Sequence, residues 1–527
     1  MRFRIAKRPG PATLPAVHCN QVISSGRPPR RCGSGLALAA LAAAVACAAD
    51  QPQWGEGWSR NQVSGERGLP ASFDPAGGRN LRWVAALGGE SHATPVVAGG
   101  RVLIGTNNQA PRDPRHKGDR GILLCLDEDD GSLLWQLVVP KLNRSVYWDW
   151  PESGICSPPT VEGDRIYLVS NRGEVLCLDA AGMANGNDGP FLDEARHAAP
   201  ADSEPVPVAP TDADILWAFD LIGACGVRQH DQAHASILVH GNHLYLNTSN
   251  GLDDGHRLVP CPEAPSLVVL DKRDGRLLAT DGQPIGPRIF HCTWSSPALA
   301  RLDGRDVIVF CGGDGVVYAF EPLAAAPPAG AAPAALRLAW QCRFDPAAPT
   351  RDVHRYLRNR KEGPSHVMGM PVFHDGRLYI AGGGDLWWGK RGAWLKCFRL
   401  TGTGDATGSA EAWSCPLEDH TMSTPAVAGG LVFVSDCRAN LHCVDAATGD
   451  RLWSHKTTGP CWASPLVADG KVFVGTQSGW FHVLDAGRTR HELAAFDLGR
   501  PISATAVAAN RTLYVATMDR LCAARMR

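Results

Sequence analysis

The chain has 527 residues, with 57 Gly, 39 Pro and 16 Trp, and is 44% hydrophobic and 20% charged. That apolar content excludes a disordered chain, and Gly and Pro are too few for a collagen-like or linker protein. Lys and Arg number 52 against 53 Asp and Glu, a formal charge of −1 that carries no nucleic-acid footprint.

Residues 1–49 hold seven Arg and Lys and no acid. Residues 36–49 read LALAALAAAVACAA, an apolar run of secretory-signal length and too short to span a bilayer. Ala46-Cys47-Ala48 offers a small-x-small cleavage site, so a periplasmic or secreted protein beginning near residue 50 is expected, with a lipid anchor on Cys47 as the alternative and no transmembrane span. Arg30-Arg31 fits a twin-arginine signal or a plain basic leader. Without this segment 45 basic residues face 53 acidic ones, a net charge of −8.

After an extension over residues 50–79, one pattern recurs eight times: a small-Pro-apolar strand, a Gly/Asp turn, a β-branched strand, a further alternating strand, an acidic Gly turn and a strand with Trp. The second strands fall at 101–106, 165–170, 243–248, 307–312, 377–382, 431–436, 471–476 and 512–517. Between Pro425 and Pro465 the spacing shrinks to about 40 residues, the size of an undecorated propeller blade. Fourth strands carry Trp135, Trp217, Trp340, Trp413 and Trp453, with Phe496 in the same role, and these aromatics are expected between blades. The eighth copy stops before its fourth strand, whereas residues 80–87 (NLRWVAAL) carry that strand's pattern ahead of the first copy. The expected fold is therefore all-β: an eight-bladed β-propeller of four-stranded antiparallel blades over residues 80–527, its ring closed by an N-terminal strand and left without open sheet edges.

Cys125, Cys177, Cys397 and Cys443 occupy a third-strand position held elsewhere by Val269, Ala319 and Val483, which marks them as small packing residues. Among the 17 cysteines there is no CxxC and no adjacent pair, against a zinc ribbon or a c-type haem.

Residues 444–453 (VDAATGDRLW), and more loosely 126–135 (LDEDDGSLLW), resemble the tryptophan-docking repeat of the PQQ-like (pyrroloquinoline-quinone-type) propellers, and the likeness covers residue 80 to the C-terminus. Residues 52–70 are similar to the lead-in of a secreted bacterial branch of that family. The resemblance implies the propeller fold. It leaves function open between quinoprotein dehydrogenases and the non-enzymatic propeller lipoprotein of outer-membrane barrel assembly.

Sorting loops by face places the unusual chemistry on the side of the second-to-third and blade-to-blade connections. Histidines converge there, and His92, His230, His234, His291 and His420 are the candidate ligands of a divalent metal. Candidate catalytic groups are Asp149, Glu152, Asp231 and His230. Trp148, Trp150, Trp294 and Trp462, with Arg228, are the candidate cofactor- or ligand-binding residues. The missing adjacent Cys pair stands against the family's quinone, and the sequence names no other cofactor. Rim loops at 107–120, 250–265 and 343–365 decorate the same face, the second carrying Asp253, Asp254 and His256. On the other face residues 324–335 read as a solvated loop. The Asn185-Gly-Asn-Asp-Gly189 segment fails the spacing of an EF-hand calcium loop and reads as a turn. Three functions stay open: an exported propeller binding a small polar or carbohydrate-like ligand with metal assistance, a quinoprotein-like oxidoreductase with a degenerate site, and a protein-binding scaffold.

Overall fold

The middle strands of each repeat are continuous aliphatic runs because neighbouring sheets cover both of their faces. Leu431–Asp436 is buried at every position, and Arg101–Asn107 at all but its first. The computed structural model describes residues 49–526, so the leader, its cleavage site and Cys47 lie outside the described residues. Among the described residues eight sheets form, one per repeat. Blade 1 runs outward through Val96–Ala98, Arg101–Asn107, Arg120–Asp127 and Leu133–Pro140. Blade 8 contains Val507–Ala509, Thr512–Ala516 and Arg520–Ala524, and Leu81–Ala86 completes it antiparallel to the last of these, with Val84 opposite Cys522. The ring is thus closed by the N-terminal strand.

Three blades gain a two-residue parallel strand beyond the expected four: Val63–Ser64, Ala334–Ala335 and Gly404–Asp405. The second of these ends the insert expected to be wholly loop. Among the described residues no helix is long and apolar enough to cross a membrane.

Most of the recurrent tryptophans clasp adjacent blades through the indole N–H, Trp340 being an exception with Nε1 buried and unpartnered. Trp83 Nε1 donates to the Glu128 carbonyl at 2.9 Å, Trp135 to Ala180 at 3.0 Å, Trp413 to Ala446 at 3.1 Å and Trp453 to Gly487 at 3.0 Å, each reaching the third-to-fourth turn of the next blade. Each ring lies across a small residue on its own sheet: Cys125 faces Trp135, Cys177 faces Trp217, Cys397 faces Trp413 and Cys443 faces Trp453. A larger residue there would displace the indole, which accounts for the recurrent cysteine. The 14 described cysteines are all free thiols.

Residues 49–66 thread the centre of the ring and bond to the innermost strand, or its lead-in, in all eight blades. Gln51 pairs with Val97 in blade 1, the Pro52 carbonyl accepts from Val161 N in blade 2, and those of Trp58 and Ser59 accept from Leu299 N and Phe373 N in blades 4 and 5. Asn61 brackets the Val427 backbone in blade 6, Gln62 O accepts from Val467 N in blade 7, and Ser64 Oγ donates to Ala508 O in blade 8. Arg60 is fully buried and serves blades 3 and 4. Its guanidinium donates to Ser236 Oγ, Ser236 O, Pro297 O and the Trp54 carbonyl at 2.8–3.0 Å. The segment satisfies inner-strand amides and carbonyls that would otherwise line an open channel.

Candidate functional site

Beyond the threaded segment the ring encloses a cavity of about 540 Å³. Trp54 of that segment lies on its wall, with Nε1 donating to Thr505 Oγ1 at 3.2 Å. Trp150, Trp294, Trp387, Trp388 and Trp462 line it with Tyr147, so aromatic rings make up much of the wall.

On one side four polar residues converge. His230 and Asp231 lead into blade 3, His291 leads into blade 4, and His256 comes from the 250–265 rim loop. One nitrogen or oxygen from each lies within 4.8 Å of all the others. His230 Nε2 is 3.1 Å from His256 Nε2, and Asp231 Oδ2 is 3.7 Å from His230 Nε2 and 3.5 Å from His291 Nε2. A metal bonded at about 2.0–2.2 Å needs donors about 3–4 Å apart.

The far sides of two of the imidazoles are anchored. His230 Nδ1 meets the Leu252 carbonyl at 2.9 Å, which also accepts from Arg228 Nη1. His291 Nδ1 meets Asp385 Oδ2 at 2.8 Å. His291 Nε2 and Asp231 Oδ1 are buried without a hydrogen-bond partner. This is the arrangement in which outer partners fix the tautomer and leave the inner nitrogen basic. Asp385 Oδ1 also accepts from Trp387 N and Trp388 N at 2.8 and 3.1 Å, so one carboxylate orients both a cluster histidine and the aromatic wall.

Backbone geometry is strained at the same place. Asp231, Gln232 and His256 have φ of 53°, 75° and 53°, a left-handed conformation that non-glycine residues adopt at a cost. At Gly251 a Cβ would meet His230 Cβ and the His291 carbonyl at 2.7 Å, so only glycine lets these two histidines approach.

Burial pushes His230 down to about 3. For His291 burial acts downward too, but the Asp385 charge and the Asp231 and Asp385 contacts outweigh it and hold it at about 9. Asp385 is held far below the usual carboxylate range by His291 and His366, against the upward effect of its own burial. The metal-free cluster therefore presents neutral His230 and a protonated His291 beside ionised carboxylates, and a metal bound there would displace the His291 proton.

Of the residues singled out in the sequence, His230, His291 and Asp231 come together. His92, paired with Glu90 at 2.7 Å, and His234, edge-on to Trp294 at 5.6 Å between centroids, line the cavity outside the cluster. His420 pairs with Asp419 at 2.8 Å, away from both cluster and cavity lining. Trp150, Trp294 and Trp462 line the cavity. Trp148 instead lies under the Arg144 and Arg228 guanidiniums, and Arg228 backs the cluster in an ion pair with Asp254. Asp149 is buried against Lys141 and Asn171, and Glu152 is exposed outside the cavity lining, so neither faces the funnel. Sequence reasoning passed over His256 as a ligand, and missed Asp385 and the Trp387–Trp388 wall. A His beside two acids in a rim loop was the available signal for the first, and no motif marks the others.

Fold and site define an eight-bladed propeller with tryptophan clasps, a filled centre and a histidine-rich funnel. The chain belongs to the PQQ-like repeat family described as outer membrane protein assembly factor BamB, whose profile matches residues 71–325 and 400–523. Among solved structures, BamB from Moraxella catarrhalis aligns with a TM-score of 0.50 at 13% identity, over 84% of this chain and 96% of that one. The computationally designed Ika8 protein aligns at 0.48 and 11% identity, over 84% and 99% of the two chains. A europium-containing methanol dehydrogenase aligns at 0.42 and 14%, over 89% of each. At such identities the likeness concerns the fold. Among curated proteins no sequence match is found.

Proposed function

We propose that this is an exported propeller that holds one divalent transition metal on His230, His256, His291 and Asp231 and binds a small polar, carbohydrate-like ligand beside it. The observation that carries the reading is the convergence of three imidazole nitrogens and a carboxylate oxygen, with the opposite nitrogens of His230 and His291 anchored. Three nitrogens and one oxygen suit a borderline metal such as zinc. His230 is fully buried, whereas Asp231, His256 and His291 line the cavity, so a metal held on these residues would border the ligand space. There the metal would polarise a hydroxyl or carbonyl oxygen. Trp150, Trp294 and Trp387 offer faces for stacking a sugar ring, and the Glu90–His92 pair supplies hydrogen bonds on the same wall. The apolar run at residues 36–49 supports export.

A protein-binding scaffold, in line with the family description, is the second reading, and the rim tryptophans Trp150 and Trp387, 43% and 45% exposed, favour it. Elemental analysis of protein purified without chelator separates the two, followed by calorimetry with a panel of mono- and oligosaccharides on metal-loaded and stripped samples. The metal reading expects about one equivalent per chain and saccharide binding that needs it. Protein that neither carries nor takes up Zn²⁺ or Mn²⁺ would leave the scaffold.

A further inference from the structure

Between Glu174–Asp179 and Ile215–Asp220 of blade 2 the chain makes a long excursion, residues 180–214. It departs after Asp179, returns at Asp214 and passes Asp188 in the Asn185-Gly-Asn-Asp-Gly189 segment. One oxygen of each of these three aspartates lies within 4.8 Å of the other two. The two ends are tied by Asp179 N donating to Asp214 O at 3.0 Å.

Asp214 has no exposed surface. Its Oδ2 accepts from Asp188 N at 2.9 Å, and its Oδ1 is buried with no hydrogen-bond partner. Glu194, itself buried and held by Asn187 Nδ2 at 2.9 Å, adds a fourth negative charge to the surroundings. Arg165 comes only to 3.9 Å of Asp179 and is shared with Asp164. Burial pushes the Asp214 carboxyl up to about 6, against the Asp188 amide, and the charges of Glu194, Asp179 and Asp188 push the same way. A buried carboxylate oxygen with no donor among like charges is costly unless a cation completes it. Every donor here is oxygen, which selects a hard ion.

The geometry points to a calcium ion bound by Asp179, Asp188 and Asp214, closing the excursion onto blade 2. Asn185, whose Nδ2 donates to Asp188 Oδ2 at 2.9 Å, places a neutral amide beside the same carboxylate. Because the ligands come from three separated stretches of chain, the spacing within residues 185–189 is not an EF-hand spacing and reads alone as a turn. The ion's work is structural: it neutralises the aspartates and pins both ends of a long loop, so its binding free energy adds to stability.

The test uses the mature protein stripped with EGTA. Adding Ca²⁺ is expected to raise the melting temperature by a few degrees, and Tb³⁺ to give tryptophan-sensitised luminescence that Ca²⁺ displaces. Asp214→Asn and the more exposed Asp188→Asn should each abolish both responses, while His291→Ala, in the funnel, should keep them. Asp214→Asn relieves repulsion, so it should melt no lower than stripped wild type, which separates lost binding from lost folding. Wild-type protein with neither a Tb³⁺ signal nor a Ca²⁺-dependent melting shift would overturn the site, as would either aspartate variant that keeps both.

Discussion

His230 and His256 face each other through their Nε2 atoms at 3.1 Å, and behind the first ring His230 Nδ1 meets the Leu252 carbonyl at 2.9 Å and Arg228 Nη1 at 3.2 Å. Two imidazole nitrogens at that separation are held together by a shared proton or by a cation that both ligate. The expected outcome of His256→Ala is a loss of metal affinity of at least about 100-fold, while Asp385→Asn, at a residue that meets His291 from behind and also holds His366, Trp387 and Trp388, costs about 10–100-fold. Competition against a chromophoric chelator measures both. Equal, unaltered affinities in the two variants would sink the metal centre.

The blades were legible because each repeats one local code: the Gly turn, the β-branched second strand and the Trp-bearing fourth strand appear in nearly every copy, and Trp83 announced the closing strand by the same pattern. The threaded segment was not legible. Residues 49–66 have no period to read, since they meet eight different strands through backbone atoms and polar side chains such as Arg60 and Asn61. In the funnel His230, Asp231 and His291 could be read because they precede recognisable strands, which fixes their face. His256 sits in a loop whose path depends on a left-handed residue, so its neighbouring acids alone did not place it, and Asp385 reaches His291 across 94 positions of sequence, which no local motif marks.

Arg60 tests whether the threaded segment stabilises the ring. Its guanidinium is fully buried and satisfies acceptors of Trp54, Ser236 and Pro297. Arg60→Ala should cost about 3 kcal/mol or more in denaturant unfolding, from unsatisfied carbonyls and an interior void. Arg60→Lys should recover only part, because an ammonium cannot span the fork. A loss below about 0.5 kcal/mol would make the segment a passive filler.

Glu174 ties the 180–214 excursion to blade 2 from another direction, meeting His197 Nε2 at 3.2 Å and Arg172 Nη2 at 2.7 Å. Burial raises its pKa, but the His197 bond and charge and the Arg172 charge outweigh that and bring it down to about 2. A depressed carboxyl stabilises the fold above its ordinary value near 4.5 and loses that contribution as pH falls toward 2. Glu174→Gln is therefore expected to be less stable than the parent by up to about 3 kcal/mol at pH 7, with the gap closing between about pH 4.5 and 2. Unfolding curves across that range decide it, and a gap that ignores pH would assign the loss to packing.

Trp83 carries the ring closure, because the strand that completes blade 8 also clasps blade 1. Its indole donates to Glu128 O at 2.9 Å and packs over Gly131, where a Cβ would come within 2.7 Å of the ring, while Tyr514 of the same blade lies at 5.9 Å between centroids. Trp83→Ala removes a buried aromatic and leaves the Glu128 carbonyl without that donor, an expected cost of about 3–5 kcal/mol. Because Leu81–Ala86 forms the outer edge of blade 8 without being joined by a turn to that blade's other strands, the loss should also free it to fray. Hydrogen exchange then separates the two effects. Amides of Leu81–Ala86 and Arg520–Ala524 should exchange faster than those of Arg305–Cys311 in blade 4, on the far side of the ring. Uniform acceleration over all blades would show that the propeller unfolds as one unit and that closure is not its weak point.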